Sequence, residues 1–132
     1  MPKINFLAVL TAAFSAFIVG GVWYSVLFKD VWMRVNNFTN EDAMNRNPAK
    51  TFGLSFLLSL IMALNLAAFL GDGKATIAWG MLAGGLAGAG WVAAAIAVIA
   101  LFEGRSLQYV LINGGYWVVA FVMMGAILGA WH

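Results

Sequence analysis

Residues 75–102 read ATIAWGMLAGGLAGAGWVAAAIAVIALF, and none of them carries a charge. A helix needs about 20 apolar residues to cross the roughly 30 Å hydrocarbon core of a bilayer. The stretch does not alternate between polar and apolar residues, as a strand of a membrane barrel would. It therefore predicts a transmembrane helix.

Charged residues separate three further stretches of the same kind. We refer to the four stretches as spans one to four, which cover residues 4–28, 51–71, 75–102 and 106–131. The short connections between spans two, three and four predict antiparallel neighbours. The chain is thus predicted to be an all-α membrane protein, a single domain over 1–132 that forms an antiparallel bundle of four transmembrane helices.

The one sizeable connection is the loop 29–50. Within it, Thr39-Asn40-Glu41-Asp42 has the spacing of a capping box, in which a side chain at each end of the first turn satisfies a backbone N–H group. This motif predicts a short interfacial helix over about 40–47.

The composition excludes several classes of protein. Hydrophobic residues make up 64% of the chain and charged residues 9%. Soluble domains, by contrast, carry about 25% charged residues. The chain has seven Lys and Arg and five Asp and Glu. This small excess of basic residues provides too few charges for a nucleic-acid-binding surface. With no Cys and a single His, the sequence predicts no disulfide, no thiol nucleophile, no metal site and no cofactor.

The basic residues predict the orientation. Five of the seven fall in the loop 29–50 or the turn 103–105, and the other two are Lys3 and Lys74. Lys and Arg are enriched in cytoplasmic loops. We therefore expect the loop 29–50 to be cytoplasmic and both termini to be periplasmic.

Small residues recur at every fourth position in three spans, which permits close contact between helices. Two interpretations remain open, packing within one bundle or an interface between subunits, and three such faces in so small a chain favour a homo-oligomer. The predicted helix-packing residues are Ala12, Ala16, Gly20, Gly80, Gly84, Gly88, Gly125 and Gly129.

No Asp, Glu, Lys, Arg or His lies within a span, which disfavours a proton-coupled transporter. Counted at about 1.5 Å per residue, several polar residues share the predicted cytoplasmic half of the bilayer. They would line an inward-facing polar cavity or, alternatively, simply form hydrogen bonds between helices. The candidate ligand or cavity residues are Tyr24, Ser25, Glu103, Arg105, Asn113 and Tyr116.

Two blocks of sequence resemble a known family. They are Trp23-Tyr24-Ser25-x-Leu27-Phe28, and Phe102–Arg105 followed by Ile112–Tyr116. This pattern is similar to that of the small bacterial four-span proteins catalogued as domain of unknown function 1761, although Lys29 stands where those proteins usually have Gly. The resemblance covers nearly the whole chain and implies a bacterial inner-membrane protein, with no assigned activity and no catalytic residues to carry over.

The sequence is compatible with three functions. The first is a homo-oligomeric channel or carrier for a small solute, with no cofactor. The second is a structural or accessory subunit of a larger membrane complex. The weakest is a membrane enzyme acting on lipid, because only Glu103 with Tyr24 or Tyr109 offers an acid–base pair. We therefore expect a non-enzymatic protein whose partners are the lipid bilayer and other copies or subunits.

Overall fold

The computed structural model describes residues 4–36, 48–70 and 75–131. Within these ranges every regular element is helical, and four helical segments are long and apolar enough to cross a membrane. The protein is therefore an all-α, multi-pass membrane protein, and the predicted fold class is confirmed.

Among the described residues, the four spans contain seven helical segments, and one more follows span one. Span one consists of α1 and π1, span two of α3, span three of α4, π2 and α5, and span four of α6. The bounds are α1 Phe6–Val22, π1 Trp23–Leu27, α2 Lys29–Asn36, α3 Pro48–Phe69, α4 Ile77–Ala87, π2 Gly88–Ala93, α5 Ala94–Glu103 and α6 Leu107–Ala130.

The helix α2 occupies the first part of the loop after span one. Asp30 in its first turn and Arg34 in its last turn complement the helix dipole. Trp32 packs edge-to-face on Tyr24, with 5.6 Å between ring centroids, which attaches α2 to span one. The interfacial helix predicted over 40–47 lies outside the described residues.

The connection between spans three and four is a tight turn with a defined cap. Gly104 has a φ of 69 degrees, the left-handed conformation. Glycine adopts this conformation readily after the last turn of a helix. The Arg105 N–H then donates to the Ala100 carbonyl oxygen at 2.8 Å. Ser106 begins span four by accepting a hydrogen bond from the Tyr109 N–H. Because so short a turn connects them, the two spans are antiparallel.

The helices pack in an order that differs from their order in the chain. Span three packs on span four, span four on span one, and span one on span two. Span four is the most buried of the four and span three the least. Spans two and three, which the short connection predicted as close neighbours, instead face each other across an open groove.

Spans three and four are in backbone contact. A Cβ added at Gly80 would overlap the carbonyl oxygen of Gly125, and one added at Gly84 would overlap that of Phe121. A Cβ at Gly129 would likewise overlap the carbonyl oxygen of Thr76. Close approach of this kind lets van der Waals packing hold membrane helices together where no hydrophobic driving force exists.

The small residues of span one also face the interior. Ala12 and Ala16 are fully buried, and a Cβ at Gly20 would lie 3.1 Å from the Tyr116 hydroxyl oxygen. The small-residue faces of spans one, three and four are therefore used for packing within the chain. They no longer provide an argument for an interface between subunits.

Candidate functional site

The C-terminal end of span one is hydrogen-bonded to span four. The Tyr24 hydroxyl donates to Asn113 Oδ1 at 2.7 Å, and Asn113 Nδ2 donates to the Tyr109 carbonyl oxygen at 3.0 Å. Asn113 therefore acts as acceptor toward span one and donor toward its own helix. This fixes the orientation of its amide.

Two further bonds connect the same helices. Trp23 Nε1 donates to the Ile112 carbonyl oxygen at 2.9 Å, and the Tyr116 hydroxyl donates to the Ala16 carbonyl oxygen at 2.8 Å. Tyr116 is 8% exposed, so this last bond is buried. We call Trp23, Tyr24, Asn113 and Tyr116 the polar cluster.

Aromatic rings surround the polar cluster. The Tyr24 ring packs edge-on against the Tyr116 ring, with 5.4 Å between centroids, and the Tyr116 ring lies 4.7 Å from that of Trp117. Contacts of this geometry are favourable for aromatic pairs. The cluster is thus a packed joint between two helices.

The local sequence explains how Trp23 and Tyr24 reach span four. In π1 the Phe28 N–H donates to the Trp23 carbonyl oxygen at 2.9 Å, a spacing of five residues. One extra residue in the turn rotates the side chains that precede it relative to an α-helix, and such turns are frequent at functional sites. Gly115 leaves room for the indole, because a Cβ there would lie 3.1 Å from Trp23 Cζ2.

Of the six candidate residues, the structure brings three together. Tyr24, Asn113 and Tyr116 belong to the polar cluster. Glu103 and Arg105 lie at the exposed turn, where Arg105 Nε donates to Glu103 Oε2 at 3.3 Å. Ser25 is exposed and takes no part in the cluster's bonds.

Arg105 makes a second contact beside the turn. Its guanidinium carbon lies 5.1 Å from the centroid of the Tyr109 ring. This distance is within the range of a cation–π contact. The ion pair with Glu103 is solvent-exposed, and pairs of this kind contribute about 0–1 kcal/mol. These residues therefore mark the membrane edge of span four and contribute little to its stability.

The chemistry available to the polar cluster is hydrogen bonding. Among the described residues, no buried side-chain nitrogen or oxygen lacks a hydrogen-bond partner. In the same part of the chain, no group of three His, Cys, Asp or Glu residues is placed to hold a metal ion. The arrangement thus joins span one to span four.

Sequence reasoning missed a second feature, the groove between spans two and three. Its volume is about 540 Å³, and none of the six candidate residues lines it. Trp91 near the middle of span three was one available signal, because Trp is usually found at the membrane interfaces. Residues on its walls and floor include Asn65, Leu66, Trp79, Ala87, Trp91 and Phe121.

Comparisons with known proteins bear on the family alone. No curated protein and no solved structure matches the chain. Residues 7–129 match a family described as a protein of unknown function, DUF1761. The match covers both sequence blocks around the polar cluster and nearly all of the four spans. The chain therefore belongs to the DUF1761 family.

Proposed function

We propose that the protein is a structural or accessory subunit of a larger complex in a bacterial inner membrane and has no enzymatic activity. One observation carries this proposal. The side chains of the polar cluster are engaged in hydrogen bonds between span one and span four, so they are not presented to a solute. What the chain presents outward is the apolar surface of its helices.

Span three provides the largest part of that surface. Its half nearer the turn 103–105 exposes Val98, Ile99, Leu101 and Phe102, and Phe102 is 90% exposed. These side chains are compatible with lipid and equally with the helix of another membrane protein. Span three lies at one end of the packing order, so a partner helix would reach it without displacing any other span.

The proposed orientation places both termini in the periplasm and the loop 29–50 in the cytoplasm. It is supported by the distribution of Lys and Arg, which favours the cytoplasmic side. We expect a periplasmic reporter such as alkaline phosphatase to be active when it is fused after His132. Activity of a cytoplasmic reporter at the same position would contradict this orientation.

The accessory role is tested by crosslinking from defined positions. We expect a photoreactive residue at Ile99 to give an adduct of one reproducible mass with a second protein in native membranes. The matched control is Ile18, an exposed apolar residue on span one, which should label lipid only.

The competing outcomes are distinct. An Ile99 adduct of twice the chain's mass would favour a homo-oligomer and contradict the accessory role. The absence of any protein adduct from Ile99 would also contradict it, provided that the same residue labels lipid.

A second candidate is the channel or carrier for a small solute. It is favoured by π1, a π-helical turn that carries Tyr24 and ends beside its hydrogen bond to Asn113. Exchange of that bond for one to a solute would open a path between spans one and four. This candidate predicts that loss of the Asn113 amide abolishes solute flux. The lipid-acting enzyme has no comparable support, because the Glu103 carboxylate is paired with Arg105.

A further inference from the structure

The groove between spans two and three has an apolar lining. Met62 and Leu66 of span two face Ala87 of span three, and Phe121 of span four contributes to the floor. Asn65 also lines the groove, but its side-chain Nδ2 donates to the Ile61 carbonyl oxygen of its own helix at 2.8 Å. The groove therefore offers a surface suited to hydrocarbon.

The length of the groove corresponds to one leaflet. Its lining extends from Phe69 to Met62 along span two and from Trp79 to Trp91 along span three. A helix rises about 1.5 Å per residue, so these walls are about 10 Å and about 18 Å long. Half of a hydrocarbon core of roughly 30 Å is about 15 Å. The groove thus covers the leaflet on the side of the connection 70–75, from its interface to the middle of the bilayer.

We propose that this groove binds one hydrocarbon chain of a membrane lipid. The head-group end would lie near Phe69 and Trp79, and the methyl end near Met62 and Trp91. Trp79 is two residues inside α4, at the depth where Trp residues are enriched beside lipid head groups. Trp91 is 72% exposed near the bilayer centre, where its ring would flank the end of the chain.

A partner helix fits the groove less well than a lipid chain. A transmembrane helix crosses both leaflets and has a diameter of about 10 Å with its side chains. The groove extends over one leaflet only, from Phe69 and Trp79 to Met62 and Trp91. A single hydrocarbon chain is thinner than a helix and ends within one leaflet.

Small residues on span three create part of the space. Ala83 and Ala87 are one helical turn apart and share a face, and both line the groove. Larger side chains at these positions would fill the space that a lipid chain would occupy. Ala87 is the better position for a test, because it is only partly buried whereas Ala83 belongs to the core.

The experiment measures lipid retained by the whole protein. The purified chain is reconstituted in nanodiscs of dioleoyl phosphatidylglycerol, released into detergent and weighed by native mass spectrometry. We expect one retained lipid per chain. We expect Ala87→Leu to lower its apparent affinity about tenfold, since about two methylene groups lose their burial.

Matched controls separate filling of the groove from a general effect. Ala95→Leu makes the same change at an exposed position of span three outside the groove lining, and it should retain lipid as the unchanged protein does. Leu86→Trp changes an exposed residue of the lining, so it provides a second groove variant with little risk to folding. Lysophosphatidylglycerol should compete for the site, whereas glycerophosphoglycerol, which lacks the hydrocarbon chain, should not.

Three results would overturn the proposal. They are the absence of retained lipid, equal retention by all variants, and a dimer that Ala87→Leu dissociates. The last would show that a second copy occupies the groove. None of these results depends on the crosslinks from Ile99, so this proposal and the accessory role can fail separately.

Discussion

Gly84→Ala is expected to lower the free energy of unfolding by about 3 kcal/mol, the upper end of the usual cost of overpacking a well-packed interior. The added methyl group would overlap the carbonyl oxygen of Phe121 on span four. A backbone carbonyl cannot turn aside as a flexible side chain can, so the two helices would have to separate. Reversible unfolding in mixed micelles, followed by circular dichroism, measures the change.

Gly53→Ala is the matched control for this prediction. Gly53 is exposed on span two, and nothing lies within 4 Å of a Cβ placed there. The same change should have little effect or stabilise by about 0.5–1 kcal/mol, because glycine costs about that much relative to alanine inside a helix. Equal effects at the two positions would show that spans three and four are not in backbone contact.

The number and extent of the helices were predictable because uncharged length alone determines which segments can cross a bilayer. The order of packing was not. A short connection between spans two and three suggested direct contact, but small residues do not indicate which neighbour they face. The glycines of span three pack on Gly125 and Gly129 of span four, and the adjoining face of span three, which carries Ala83 and Ala87, lines the groove.

The polar cluster was predictable in part. Depth along each span placed Tyr24, Asn113 and Tyr116 in the same half of the membrane, which is where they meet. Their partners depend on the rotation of each helix about its axis. The turn π1 contains one residue more than an α-helical turn, which changes the rotation of span one, and no pattern in the sequence predicted it. Two interpretations were open for these residues, a polar cavity or hydrogen bonds between helices, and the bonds of Tyr24, Asn113 and Tyr116 are of the second kind.

The two leaflets therefore contain different features of the same bundle. On the side of the turn 103–105, spans one and four are held together by directional hydrogen bonds. On the side of the connection 70–75, spans three and four are held by backbone contact, and span two is separated from span three. The first arrangement favours a fixed geometry, and the second leaves an apolar space of a size suited to a hydrocarbon chain.

Asn113→Leu is expected to cost about 1.5 kcal/mol of stability, near the upper end of the range for hydrogen bonds between membrane helices, because two bonds of a partly buried side chain are lost. The change keeps the approximate size of the side chain but removes the acceptor for the Tyr24 hydroxyl and the donor to the Tyr109 carbonyl oxygen. Adding Tyr24→Phe should recover part of the loss, because the hydroxyl that needs a partner is then absent. The unfolding free energies of the two single variants and the double variant give the coupling between the residues.

Asn65→Leu provides the control and separates the two candidate functions. It removes one bond within a single helix, to the Ile61 carbonyl oxygen. Its effect on stability should stay within about 0.5 kcal/mol, as for most changes away from a packed or bonded interface.

Suppose that the Tyr24–Asn113 bond serves only to join span one to span four. Asn113→Leu then lowers stability, and liposomes that contain either this variant or the unchanged protein take up no more solute than empty vesicles do. Flux through the unchanged protein that Asn113→Leu abolishes and Asn65→Leu retains would establish the channel or carrier instead. Stability that is equal in both variants would contradict the role of Asn113 as a joint between the spans.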